Sequence, residues 1–114
     1  MDRLNSYRCA IKGILSDFAS FSQSGTPASG VETVCLFDEQ RDGYMVYRVG
    51  WNGKYRVNKP DIFIRIVDCK IWIEENWTET DFAQELIEAG VLKEDICIGF
   101  HHPLERELLA SAVA

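Results

Sequence analysis

Positive charge is scarce in this chain. Twelve lysines and arginines face eighteen aspartates and glutamates across 114 residues, giving a formal net charge of −6 at pH 7. Proteins that grip nucleic acid usually carry a basic stripe and gain affinity by displacing counterions from phosphates. With the bases scattered among more numerous acids, direct nucleic-acid binding is not expected, and a role on DNA would run through a protein. Closely spaced cysteines are also lacking. Cys9, Cys35, Cys69 and Cys97 lie far apart with no C-x-x-C pair, which weakens both a zinc site and a thioredoxin-like motif. Two disulfides would suit a secreted protein, but Met1-Asp2-Arg3-Leu4-Asn5 does not lead into an apolar signal region, and no run approaches membrane-spanning length. The expected compartment is the cytoplasm, with reduced thiols acting mainly as small apolar side chains. Without a secretion signal, the Asn76-Trp77-Thr78 sequon reads as chance. Also missing are a G-x-S-x-G elbow, a P-loop, a dinucleotide fingerprint and an H-E-x-x-H pair, so no motif supplies a catalytic set.

What is present is a globular composition, 46% hydrophobic and 26% charged, at a length that suits one domain over residues 1–114. Leu4, Tyr7, Ile11, Ile14, Leu15 and Phe18 recur every three or four residues and predict an N-terminal helix with one apolar stripe, capped by Asp2. Residues 22–30 form a Ser/Gly connector too short to separate domains. Strands are expected over 31–38 and 44–51, with Asn52-Gly53 as the hairpin turn. The next strand starts at 55–57, is interrupted around Pro60 and resumes over 62–67; Pro60 belongs at a bulge, an edge or a strand start. Asp68-Cys69 turns the chain into a strand over 70–74, completing an antiparallel meander. Thr78, followed three residues later by Asp81, resembles a helix start, and Phe82, Ala83, Leu86, Ile87 and Ala89 give that helix an apolar face ending at Gly90. A short strand over 96–98 follows, and Pro103 opens a terminal helix containing Leu104, Leu108 and Leu109. The expected fold is α+β, a two-layer sandwich of about four to five strands with the N-terminal and middle helices on one face.

Strand parity sharpens that expectation. Met45, Tyr47, Val49 and Trp51 share one side of their strand, Phe63, Arg65 and Val67 one side of the next, and Trp72 opposes Ile71 and Ile73. Both faces of the sheet therefore look apolar. Either loops and the terminal helix cover the second face, or it is a docking surface.

Two constellations invite a chemical reading. Pro60-Asp61 and Asp68-Cys69-Lys70 superficially match a nuclease signature, whose chemistry needs both carboxylates and the lysine at one metal. One strand between the two aspartates would hold them about 20 Å apart, at roughly 3.3 Å per residue, so Asp68 to Lys70 reads as a turn. His101 and His102, with Cys97, Glu74, Glu75, Glu79 and Asp81 nearby in sequence, suggest a small metal-dependent hydrolase as an alternative. Adjacent histidines on an extended segment point opposite ways, which favours a surface or turn role. No metal or cofactor is expected.

The pieces resemble the XisI family, the fdxN-element excision controlling factors of filamentous cyanobacteria. The resemblance rests on Phe37-Asp38-x-x-Arg41-Asp42-x-Tyr44, Val49-Gly50-Trp51, Lys70-Ile71-Trp72-Ile73, Thr78-Glu79, Glu85-Leu86 with Gly90-Val91, Lys93-Glu94-Asp95-Ile96, Gly99-Phe100-His101-x-Pro103 with Arg106, and Ala112-Val113-Ala114. Their order and spacing span nearly the whole chain. Phe63 stands where many members carry histidine, Asn76-Trp77 replaces an Asp-Gly-like turn, and Ser111 replaces an aromatic residue. A role tied to that histidine would not carry over. The resemblance implies a non-enzymatic accessory factor that works with an XisH-like partner, and with a separate site-specific recombinase, in excising a DNA element. Direct DNA binding remains the third reading, and a homo-oligomer is left open. Because aromatic and arginine side chains dominate interface energetics, the expected partner surface comprises Arg41, Tyr47, Trp51, Trp72, His101 and Arg106.

Overall fold

The structure, a computed structural model, describes residues 2–23 and 30–100. Its elements run α1 (Arg3–Gln23), β1 (Val31–Asp38), β2 (Gly43–Asn52), β3 (Tyr55–Val67), β4 (Lys70–Asn76), α2 (Phe82–Glu88), a 3-10 turn (Lys93–Asp95) and β5 (Ile96–Ile98). The five strands lie in sequence order in one sheet. The fold is α+β, as the periodicities imply. The meander β1 to β4 is antiparallel, but β5 joins β4 in parallel, because the chain crosses over through α2 before returning to the sheet.

One core binds the helices to one sheet face. Tyr7, Ile11, Leu15 and Ala19 of α1 and Phe82 and Leu86 of α2 bury against Tyr44, Val46, Ile62, Ile64, Ile66, Ile71 and Ile73. The alternation of β-branched residues along β3 and β4 directs every second side chain into this layer. Phe18 meets Phe82 edge to face, with ring centroids 5.4 Å apart, so the helices also pack on each other.

The ends of the elements follow from specific residues. The Asp2 carboxylate accepts the Asn5 N–H at 2.8 Å and caps α1 as expected. The cap of α2 is Asp81, whose Oδ1 accepts the Gln84 N–H at 3.1 Å, and not Thr78. Thr78 instead closes a turn with Asn76, whose Oδ1 accepts both its N–H and its hydroxyl. At the other end of α2, the Gly90 N–H reaches the Ile87 carbonyl and the Val91 N–H the Leu86 carbonyl. Gly90 has φ +102, and Val91 is buried beside the helix it ends. These paired bonds form a Schellman motif, which an L-residue in the Gly90 position would strain.

Two expectations change in detail. β3 is one thirteen-residue strand, and Pro60 is accommodated by a bulge. Val46 faces Ile62 while Tyr47 faces Pro60, leaving Asp61 as the extra residue. The β2–β3 turn is Gly53-Lys54, one residue later than the Asn-Gly signal suggests; Asn52 pairs with Tyr55, and Gly53 supplies the positive φ. Asp68-Cys69 is the expected turn, with both residues at positive φ between the paired Val67 and Lys70. The four cysteines are free thiols. Cys35 packs against the core, where burial raises its pKa, but Cys9 and Cys69 are exposed and do not act as apolar filling.

Candidate functional site

The outer face of the sheet carries the side chains left over once the core is filled. Cross-strand register sets Leu36 beside Met45, Met45 beside Phe63, Val34 beside Tyr47, and Arg65 beside Trp72, with Cys97 next on β5. Leu36 is 50% exposed, while Met45, Tyr47, Phe63 and Trp72 are half-buried. Both described helices occupy the opposite face, so among the described residues no helix covers this one.

Towards the β1–β2 turn this face forms a cleft of about 430 Å³ lined by Leu36, Asp38, Arg41, Met45, Phe63 and Arg65. Its floor is apolar and its rim is charged. Asp38 holds the turn by accepting the N–H groups of Gln40 and Arg41 at 3.0 and 3.1 Å, and it pairs with the Arg41 guanidinium at 3.1 Å. The Arg41 backbone N–H and then its side chain hold the Asp38 carboxyl below its ordinary pKa. Arg65 donates to Glu74, the extra residue of a second bulge, where Phe63 faces Glu75 but Ile64 faces Ile73. Beneath the turn, Arg8 of α1 clamps Asp42, and the Tyr44 hydroxyl donates to the same carboxylate at 2.9 Å. The rim is thereby tied to the helical layer.

The residues expected to form one surface are spread along the sheet. Arg41 lies on the cleft rim, and Trp72 lies level with Gly43 through the Arg65 pairing, so these two share one end. Tyr47 sits mid-strand. Trp51, 56% exposed, stands at the far end of β2, about 26 Å from Gly43 at roughly 3.3 Å per residue. The three aromatic residues are therefore not one patch. His101 and Arg106, and with them the His101 or His102 hydrolase reading, lie outside the described residues. Phe63, Met45 and Leu36 belong to the cleft and were not among the expected partner residues, although parity placed Phe63 and Met45 on this outer face.

No cluster of three or more His, Cys, Asp or Glu side chains arranged for a metal occurs among the described residues. Asp61 and Asp68 have separate roles. Asp61 is buried in the bulge 3.2 Å from Arg48 Nε, and Asp68 is in the β3–β4 turn.

A profile of the XisI protein family matches residues 1–113. The chain belongs to the XisI family. Among solved structures, the fdxN element excision controlling factor XisI from Anabaena variabilis ATCC 29413 is 38% identical. That alignment covers 92% of this chain and 99% of the other, with a TM-score of 0.81. An XisI-like protein from the same organism is 33% identical, covering 92% and 94% of the two chains with a TM-score of 0.83. No functionally curated protein matches. The XisI relative is named for controlling excision, which is a regulatory description. The XisI sheet, with its helices on one side, thus belongs to a family defined over nearly the entire chain.

Proposed function

We propose that this XisI-family protein is a non-enzymatic accessory factor that acts through protein partners, an XisH-like protein and a recombinase complex, in excision of a DNA element within the cytoplasm. The observation that carries this reading is the outer sheet face, where Leu36, Met45, Tyr47, Phe63 and Trp72 present apolar surface around a charged rim. An apolar centre ringed by Arg41, Asp38 and Arg65 has the composition of a protein interface, in which buried aromatic side chains supply most of the energy and rim charges set orientation. The excision controlling function is that of a relative 38% identical to this chain. No helix of the described residues is long and apolar enough to cross a membrane.

The test is affinity for a co-expressed XisH-like protein from the same host, measured by calorimetry. Trp72→Ala and Phe63→Ala should each weaken binding by tenfold or more while far-UV circular dichroism stays unchanged. Folded variants with unaltered affinity would remove the outer face from the interaction.

A further inference from the structure

The structure separates charges that the whole-chain total averages out. Residues 43–60 contain Arg48, Lys54, Arg56 and Lys59 and no acid, so a third of the chain's twelve bases fall in one hairpin of a protein with net charge −6. Beyond the bulge at Asp61 the hairpin continues as an arm to its turn at Gly53-Lys54. Register assigns its side chains to two sides. Arg48 lies directly opposite Lys59, and Tyr55 and Val57 alternate with Lys59 on that same side; Trp51 and Arg56 face each other on the reverse.

The Arg48 and Lys59 side is unusual. Like charges directly opposed across a ladder destabilise a sheet. Among the described residues the acid paired with either is Asp61, whose Oδ2 lies 3.2 Å from Arg48 Nε but is not aligned for a hydrogen bond, leaving that buried nitrogen unsatisfied. Lys59 instead lies over the ring of Trp77, 5.6 Å from its centroid. Trp77 is 68% exposed and Tyr55 is 77% exposed, so two large rings stand in solvent on the side of Arg48 and Lys59, with Lys54 in the turn at the tip. The like-charge pair is offset only by one misaligned ion pair and one exposed cation–π contact, and local rules broken in this way are found at functional or strained sites. The acids touching the arm's flanks are Asp61, Glu75, which accepts the Trp77 indole N–H at 3.2 Å, and Glu32, in register with Val49 on the reverse.

We propose that this side of the arm binds a single nucleic-acid strand, with Arg48, Lys54 and Lys59 taking phosphates and Tyr55 and Trp77 stacking on bases. Flat, solvent-exposed rings interleaved with cations match the way unpaired strands are held, since every base offers a stacking face. A duplex keeps its bases stacked internally and would leave the two rings unused. An acidic protein segment would use the cations but offers few flat groups to stack on the two exposed rings. The site lies at the opposite end of the sheet from the cleft and does not depend on the protein-partner reading.

The experiment uses the full chain, a fluorescein-labelled oligothymidylate of about 12 nucleotides and fluorescence anisotropy across a salt series. Three phosphate contacts predict a slope of log K against log salt near −2, at about −0.7 per contact on a single strand. Lys54→Ala and Lys59→Ala should each flatten the slope by about 0.7. Tyr55→Ala and Trp77→Ala should each weaken binding by about tenfold, the scale of one lost stack. Trp51→Ala, on the reverse side, should leave affinity within about twofold, and its unchanged circular dichroism would show that the arm tolerates truncation. The proposal is overturned by no binding at low salt, by stacking variants that bind normally, or by poly-glutamate competing as well as the oligonucleotide. The last result would assign the arm to an acidic protein. Trp72→Ala separates the two sites, because it should leave oligonucleotide binding intact whether or not the cleft engages a partner.

Discussion

Arg8 and Asp42 form a two-point clamp between α1 and the β1–β2 turn, with Nε to Oδ1 at 2.7 Å and Nη2 to Oδ2 at 3.1 Å. The planar guanidinium matches the carboxylate edge, a geometry that lysine cannot reproduce. Asp42 has φ +54. One residue therefore shapes the turn, receives the helix and accepts the Tyr44 hydroxyl.

The clamp sets the acid limb of stability. The Arg8 side chain and then the Tyr44 hydroxyl hold the Asp42 carboxyl below its ordinary pKa, and Asp38 is lowered in the same direction by the Arg41 N–H. A carboxyl with a depressed folded-state pKa stabilises the fold above its unfolded pKa of about 3.9 and loses that contribution as pH falls through the lower folded value. Asp42→Asn tolerates the positive φ but removes the charge. In urea titrations it should lower stability at pH 7 and flatten the decline below about pH 4.

Two tyrosines contribute to the alkaline limb. Burial, followed by a hydrogen bond to Asp95, raises the Tyr7 pKa; burial, followed by Asp42, raises that of Tyr44. Groups with raised folded-state pKa values contribute fully below their unfolded pKa of about 10 and lose that contribution as pH climbs towards the folded values. Tyr7 donates to the Asp95 carboxylate at 2.6 Å in a buried setting, so Tyr7→Phe leaves that acceptor without its phenol. The expected cost is about 1–3 kcal/mol at pH 7, with a shallower fall above pH 10.

Gly50 has φ +146, and a Cβ there would strike the Gly30 carbonyl, which also accepts the Trp51 N–H at 3.1 Å. Gly50→Ala should cost about 1–3 kcal/mol in backbone conformation, with the clash added. Thermal melts would register the loss. Gly13→Ala, in open space within α1, should raise stability by about 0.5–1 kcal/mol.

The Asp81 cap gives a smaller effect. Asp81→Ala should lower stability by about 1 kcal/mol, whereas Thr78→Ala should leave the start of α2 intact and loosen only the Asn76 turn. Amide exchange at Gln84 distinguishes them, since its N–H loses its acceptor in the first variant alone.

Periodicity made most of the fold legible. The α1 stripe and the isoleucines of β3 and β4 carry unambiguous spacings, and their buried faces match the core. What escaped depends on long-range pairing. Whether Pro60 ends a strand or sits in a bulge is decided by Tyr47 across the ladder, and the parallel addition of β5 is decided by where α2 returns the chain. Thr78 and Asp81 are both competent caps, and the Asn76 turn selects Asp81. The aromatic candidates share one face but do not group together, because side-chain parity does not report position along a strand. Trp51 and Trp72 thus share a face while lying at opposite ends of the sheet. The basic arm was visible as an acid-free run, but a net charge summed over the chain hides it.

The bulge at Asp61 divides the β2–β3 ladder into two cooperative units. On one side, Tyr44, Val46, Ile62 and Ile64 are fully buried, so their amides can meet solvent only when the whole domain opens. Beyond it, the arm from Arg48 to Lys59 has no fully buried side chain; its β2 half is held by β1 as far as Gly50 and Trp51, so local opening is expected to start on the β3 half, at Tyr55 to Lys59, while the helical layer stays closed. A partner seated on the arm would thus select or quench a local opening without drawing on the stability of the rest of the protein.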